Sequence, residues 1–380
     1  MESPRKNVGG RLLRCGYTTG ACAAAAAKAA TRMLLSGERV ACVSLPTPKG
    51  ILLSLDVLDA HVDARLARCA IRKDGGDDPD VTSGMLVYAQ VEKIPAGVRI
   101  EGGQGVGRVT KPGLDQGVGE AAINSTPRRM IAEAVESVCA ACGYAGGICV
   151  RISVPGGEEL ARRTFNPRMG IEGGISIIGT TGIVEPMSNA ALVDTVRLEL
   201  RQLAATGAQH VLLTPGNYGQ AFAAETLALS MQAHIACSNF IGDAIDAAVE
   251  LGFRRILLIG HIGKLVKLGL GITNTHSANG DGRMEALIAC ALEAGAQLAL
   301  LRAIAACVTA DAALALLRGA GLLEGTMDIL GARIEATLRR RVPEGIEIGY
   351  LCFTNAADLG GVLAQSDNAE ALMRAWRKDK

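Results

Sequence analysis

The residues best suited to chemistry cluster in the second half of the chain. His261, Lys264, Lys267, His276 and Arg283 lie within the two segments GHIGKLVKL and NTHSANGDGR, and the whole chain holds only five histidines. Three cations beside two imidazoles suit a ligand bearing several carboxylates, because ammonium and guanidinium groups make charge-assisted hydrogen bonds to such groups. His276 is also a candidate proton acceptor. The histidines lack helical metal-ligand spacing, so no protein-bound zinc is expected. The plainer alternative is a solvated basic face with structural histidines. A second candidate is the acidic loop KDGGDDPDVTSG, Lys73–Gly84, with aspartates at 74, 77, 78 and 80. No glutamate follows at calcium-loop spacing, so Asp77 and Asp78 are read as a base or as acceptors for donor groups. A solvated turn is the competing reading.

Three polar loops could hold a small ligand. GYTTG puts Thr18 and Thr19 at the mouth of the Ala-rich stretch Ala21–Leu35, where free helix-terminal amides would favour an anion; Lys28 lies on the same helix. A simple capped helix accounts for the pattern equally well. GTTGIVEPMS offers Gly179, Thr180, Thr181, Gly182 and Glu185, and TPGNYG offers Thr214, Gly216 and Asn217, for a cofactor's polar end. Glu185 could accept from ribose hydroxyls, or simply favour a helix start. GGQGVG, Gly102–Gly107, lacks the helix that a nucleotide fingerprint requires and is read as a hairpin turn. Cys139 and Cys142 form one CxxC with no second pair at zinc spacing.

The elements needed to carry these loops follow from periodicity. Gly174–Gly179, His210–Thr214, His234–Ser238 and Arg254–Gly260 are short apolar runs alternating with helical stretches (188–205, 242–251), the pattern of βαβ units and a mostly parallel, helix-covered sheet. Polar loops following such strands gather at the carboxyl edge of the sheet, where ligands bind. The first half instead alternates like antiparallel strands, with a turn at PTPKG and a helix from Ser125 towards Gly143. The expected architecture is therefore an α+β domain, 1–165, and an α/β domain, 166–380. The C-terminal part is mainly helical, and the strand Glu347–Phe353 could join either sheet.

Totals set the boundaries. The chain has 380 residues, enough for two cores, with 39 basic and 38 acidic side chains. Near-zero net charge argues against a nucleic-acid or membrane-surface binder. Leu287–Leu317 is apolar but interrupted by Glu293, Gln297, Arg302 and Asp311, so it reads as buried helix and not as a membrane span. The opening MESPRKNVGG lacks the apolar core of a secretory signal, and eleven scattered cysteines, Cys290 and Cys307 among them, read as buried, reduced thiols. A cytoplasmic protein is expected, and a homo-oligomer is compatible with the sequence.

Taken together, GYTTGACAAAAAKAA, KDGGDDPDVT, GVGRVTKPGL, INSTPRRMI, GISIIGTTGIVEPMS, TPGNYG, SNFIGDAI, GHIGKLVKL, NTHS and DGRMEAL resemble the cobalt-precorrin-5B C-1-methyltransferases of the anaerobic cobalamin pathway. They run in family order from Gly16 to about Leu287. Cys15 departs from the pattern, where Thr would be expected. The resemblance implies S-adenosylmethionine as methyl donor, a cobalt-bearing tetrapyrrole as acceptor and cobalt-precorrin-6A as product. The cobalt would belong to the substrate and not to a protein site. It also implies a fold distinct from the common precorrin methylases. A non-catalytic tetrapyrrole carrier and a nicotinamide-dependent precorrin reductase are the alternatives; the missing glycine fingerprint counts against the second.

Overall fold

The computed structural model describes residues 4–377 except 9, 165, 168 and 360. It divides into two compact units, Met1–Ser188 and Asn189–Lys380.

The first unit opens with the hairpin β1 (Arg5–Val8) and β2 (Arg11–Arg14), then β3 (Gly16–Tyr17) and α1 (Thr19–Ser36). A second hairpin, β4 (Cys42–Pro46) and β5 (Leu52–Asp56), turns at PTPKG as expected. β6 (Leu58–Val62), β7 (Leu66–Arg72), β8 (Leu86–Ile94) and β9 (Val98–Gly102) come after it. Next are β10 (Gly105–Val106), β11 (Arg108–Val109), α2 (Ser125–Ala141), β12 (Gly147–Ser153) and α3 (Gly157–Ala161). The unit closes with β13 (Ile171–Glu172), β14 (Gly174–Ile175) and β15 (Ile183–Val184). Its main sheet runs β6-β7-β8-β12-β9 and is antiparallel except for the parallel pair β12/β9. A helix that is apolar all round must be buried all round. Accordingly Ala21–Ala27 of α1 are fully buried, and their small side chains let the helix lie close on β7, β8 and α2.

Two expectations fail in this unit. Gly102–Gly107 turns the chain, with Gly105 at φ +73°, but β9 and β10 do not pair, so it is no hairpin. A Cβ on Gly105 would stand 1.8 Å from the Val154 carbonyl oxygen, so the glycine serves a close backbone crossing. GISIIG is likewise no strand of the parallel sheet. Gly174–Ile175 pairs with Gly105–Val106, and Ile177 bridges Ile123. That bonding keeps 166–188 in the first unit and moves the boundary from the expected 165/166 to 188/189.

The second unit contains α4 (Asn189–Ala205), β16 (His210–Thr214), α5 (Asn217–Ala221), β17 (His234–Ala236), α6 (Ile241–Glu250), β18 (Arg255–His261) and α7 (Ile262–Leu265). α8 (Arg283–Glu293), α9 (Leu298–Ala305), α10 (Ala310–Gly319), α11 (Leu323–Arg339), β19 (Glu347–Phe353), β20 (Val362–Gln365) and α12 (Ala369–Met373) complete it. The sheet order is β17-β16-β18-β19-β20, with the first four strands parallel and β20 an antiparallel edge. Glu347–Phe353 thus belongs here, beside β18. Val211, Leu213, Ile256 and Leu258 enter one apolar cluster, while the intervening Leu212, Leu257 and Ile259 enter another. Both faces are covered, which is why these strands read as unbroken apolar runs. The stretch from Leu287 to Leu317 is a helical region, as expected, made of parts of α8 and α10 with α9 between them. No helix among the described residues is long and apolar enough to cross a membrane.

Six cysteines are buried, but Cys307 and Cys139 are only half-buried and Cys142 is exposed at the end of α2. The expectation of uniform burial was too broad: Cys139 lies on α2, whose outer side faces water, and Cys142 and Cys307 stand just past the ends of α2 and α9.

Candidate functional site

The residues singled out in TPGNYG and GHIGK lie at the carboxyl ends of β16 and β18, with the polar loop after β17 between them in sequence. Thr214 ends β16, but its side chain is buried and its hydroxyl is hydrogen-bonded to His234 Nε2 at 2.8 Å. It therefore ties β16 to β17 and does not face a ligand. The chain then turns through Gly216 at φ +106° into α5. Lys264 Nζ lies 3.3 Å from where a Cβ on Gly216 would stand, so the glycine leaves a cradle that a larger residue would crowd. Lys264 donates to the Ser238 carbonyl at 3.3 Å. Burial pulls its pKa below the ordinary lysine value, which leaves a partly desolvated cation ready to gain from an anionic partner.

His261 closes β18 and caps the short α7. Its Nδ1 accepts the Gly263 amide at 3.1 Å, while Nε2 is 3.9 Å from Asp311. Burial lowers its pKa despite that carboxylate. The exposed ring of Tyr218 lies 5.9 Å from the imidazole, and Phe353 meets it edge-on. Gly216, Asn217, His261 and Lys264 therefore come together on one edge.

The rest of the basic segment is placed differently. Lys267 is buried, with Nζ donating to the carbonyls of Thr275 (3.1 Å) and Gly280 (3.0 Å). It holds the 272–282 loop in place. Arg283 is paired with Asp281 at 2.5 Å. His276 is exposed and caps a single turn, its Nδ1 accepting the Ala278 amide at 3.1 Å.

In the first unit the expected ligand loops satisfy one another. Thr18 caps α1 by accepting the Ala21 amide at 3.1 Å, the Gly20 amide donates to the Ile178 carbonyl, and the Cys22 amide to the Thr18 carbonyl. Thr19 Oγ1 accepts the Ile178 amide at 2.9 Å. These amides are consumed by the chain itself, so the helix mouth offers little to an outside anion. Lys28 donates to the Ser44 carbonyl at 2.8 Å, tying α1 to β4. A Cβ on Gly179 would strike Thr18, and one on Gly182 would strike Thr47, so both glycines exist for packing. Thr180 is exposed, and Thr181 Oγ1 folds back to the Ile183 carbonyl at 3.0 Å. Glu185 is gripped by both Lys6 and Lys49.

The acidic loop is equally committed. The Arg14 guanidinium forks onto Asp74 and holds that carboxyl below its usual range. Asp77 accepts the Arg14 amide at 2.7 Å, and Asp78 the Met187 amide at 3.0 Å. Asp80 pairs with the buried Lys73 at 2.7 Å. Burial pushes the Asp80 carboxyl up, but the ammonium and the two Thr82 hydrogen bonds outweigh it and bring the pKa below the ordinary value.

Four residues at these sites escaped the sequence reading. Ser238 sits at φ +52°, an uncommon conformation for a non-glycine residue, and presents its carbonyl to Lys264. Asn239 accepts the Thr275 amide at 2.9 Å through its carbonyl. Asp311 reaches His261 from another helix, and Lys6 comes from the first strand. The first two stand in the polar loop after β17; nothing local marks the last two.

A mainly parallel, helix-covered sheet with open polar groups at its carboxyl edge, in a chain that also carries an α+β unit, is the architecture of an α/β protein of the kind whose ligands sit at that edge. The family comparison sharpens that class: residues 6–186 match CbiD and residues 274–367 match the CbiD C-terminal domain. A relative from Ruminiclostridium cellulolyticum is 46% identical over 91% of this chain and 90% of its own. One from Citrobacter koseri is 48% identical over 80% of each. Both are named cobalt-precorrin-5B C(1)-methyltransferase. A crystal structure of the cobalamin biosynthesis protein CbiD from Archaeoglobus fulgidus is 29% identical, covers 72% of this chain and 86% of that one, and superposes with a TM-score of 0.39. The chain belongs to the CbiD family.

Proposed function

We infer that this chain is an S-adenosylmethionine-dependent methyltransferase that methylates C-1 of cobalt-precorrin-5B, giving cobalt-precorrin-6A in cobalamin biosynthesis. The observation that carries the reading is the near-full-length identity to relatives of that name. Cobalt enters as part of the acceptor. The donor's sulfonium supplies an already activated methyl group, so the protein's task is alignment.

The carboxyl edge of the parallel sheet fits that task. Gly216 and Asn217 form an open cradle for the donor's polar end, and Lys264 and His261 receive a carboxylate beside it. The carbon–methyl bond forms at C-1 as the sulfur–methyl bond breaks, and S-adenosylhomocysteine leaves. The positive charge passed to the macrocycle is discharged by loss of a proton to a base. His276 is our assignment for that base: its ring is exposed, and since Nδ1 accepts the Ala278 amide the neutral ring carries its proton on Nε2, so proton uptake falls to Nδ1 once that hydrogen bond opens. Asp77 and Asp78, each with one oxygen on a backbone amide, are the alternatives.

Methyl transfer from S-adenosylmethionine to cobalt-precorrin-5B tests the reaction, and S-adenosylhomocysteine calorimetry separates an enzyme from a mere tetrapyrrole carrier. His276→Ala should lower kcat at least tenfold, about 1.4 kcal/mol of barrier, with both ligands binding normally. Full turnover in that variant would move the base to Asp77 or Asp78.

A further inference from the structure

The basic hairpin at the start of the chain is not among the elements of the sheet-edge site in the second unit. Arg5, Lys6, Arg11 and Arg14 all lie on β1 and β2. Register places Arg5 opposite Arg14, Lys6 opposite Leu13, and Val8 opposite Arg11. Since strand side chains alternate between faces, Lys6 and Arg11 share one face and Arg5 and Arg14 the other. Arg14 is occupied by Asp74. Lys6 meets Glu185, which also takes Lys49 from the turn between β4 and β5. Arg11 has no ion-pair partner among the described residues.

Glu185 is held in place from two sides. β15 pairs with β3, Val184 opposite Gly16, so Glu185 emerges at the root of the hairpin. The Lys49 amide donates to the Thr181 carbonyl at 3.2 Å, which brings the β4–β5 turn to the same spot. The result is one carboxylate bridging two ammonium groups, with a guanidinium on the same hairpin face. All three side chains of the bridge remain open to solvent, at 42% for Lys6, 37% for Lys49 and 24% for Glu185. Exposed ion pairs of this kind contribute little to folding. Another carboxylate could therefore take Glu185's place at small cost to the fold, and an acceptor with many carboxylates would supply one at high local concentration.

We propose that Lys6, Lys49 and Arg11 form a carboxylate-recognition site for the periphery of the tetrapyrrole acceptor, occupied by Glu185 until the acceptor displaces it. The proposal rests on the acceptor inferred above.

The test uses the full chain in the methyl-transfer assay. Lys6→Met and Lys49→Met should each raise the acceptor KM about tenfold, as expected for loss of a charge-assisted contact, with kcat and S-adenosylhomocysteine affinity unchanged. Arg11→Gln should raise it less. Glu185→Gln removes the internal competitor and should lower the acceptor KM about threefold, against any purely structural role, which would raise it. Unchanged KM in both lysine variants, with thermal melting as wild type, overturns the proposal. These two variants stay decisive if Glu185→Gln fails to fold. A wild-type protein that turns over no cobalt-precorrin-5B would instead defeat the functional reading. The site is then judged by titration with uroporphyrin, a polycarboxylate tetrapyrrole. Binding lost in the lysine variants supports it, and equal binding in all of them overturns it.

Discussion

Two threonine- and glycine-rich loops, GTTG at 179–182 and TPGNYG at 214–219, look alike in sequence and are used differently. In the first, Thr181 folds back on Ile183, and Gly179 and Gly182 are packed against Thr18 and Thr47. In the second, Thr214 is consumed inside the sheet but Gly216, Asn217 and the neighbouring Lys264 stay open. The difference lies in their surroundings. The amides at the mouth of α1 and the carbonyls of 176–182 satisfy one another, whereas the carboxyl edge of a parallel sheet turns its loops outward. Polarity in a sequence marks where hydrogen-bonding groups are, not whether the protein has already used them.

The comparison breaks first at the acidic loop. If its groups serve the fold, Asp80→Ala should strand the Lys73 ammonium, whose side chain is 1% exposed. The expected cost is about 3–5 kcal/mol of stability, the usual penalty for an uncompensated buried charge, read by urea or thermal unfolding. The sign with pH comes from the depressed pKa of Asp80. Its contribution is complete above the ordinary aspartate value of 3.8 and is lost as pH falls through the lower folded value. The variant should therefore show a shallower acid limb than wild type. An Asp80→Ala protein that melts normally and loses turnover would make this loop catalytic after all.

How much of this was legible beforehand depended on range. The helices around 19–36 and 125–141 and the strands at 210–214 and 347–353 stood out because their periodicity and punctuation are local. GISIIG misled because a short apolar run carries no information about its partner, and its partner, β10, is some seventy positions upstream. The basic segment illustrates the same limit at the site. Lys264 and Lys267 sit one turn apart in sequence, yet one faces the sheet edge and the other is buried against Thr275 and Gly280. Composition grouped them; only the turn after β18 separates them.

That separation gives the next effect in size. Lys264→Ala should weaken acceptor binding by about 1.5–3 kcal/mol, the range for a hydrogen bond to a charged group, with a loss that shrinks as salt rises. Folding should hardly change. Lys267→Met should do the reverse, loosening the 272–282 loop and lowering the melting temperature at nearly normal acceptor affinity. Equilibrium titration and differential scanning calorimetry on the pair distinguish the outcomes. Equal loss of acceptor binding in both would mean that the buried lysine positions the site and that the two cannot be parted.

The smallest effect tests the two loops directly. Asn217 is exposed beside the Gly216 cradle, whereas the Thr181 hydroxyl is bonded to the backbone two residues on. Removing a group that touches the donor costs its contact; removing one that the protein has already satisfied costs at most a local hydrogen bond, about 1 kcal/mol of stability. Asn217→Ala should therefore weaken S-adenosylhomocysteine about tenfold, or about 1.4 kcal/mol. Thr181→Val should leave that affinity within about twofold, or about 0.4 kcal/mol, and lower the melting temperature slightly. Calorimetric titration of both variants in one buffer, with melting measured on the same samples, reads the difference. If Thr181→Val loses the donor and Asn217→Ala keeps it, the donor belongs to the α+β unit, and the open edge of the parallel sheet must be assigned to the acceptor alone.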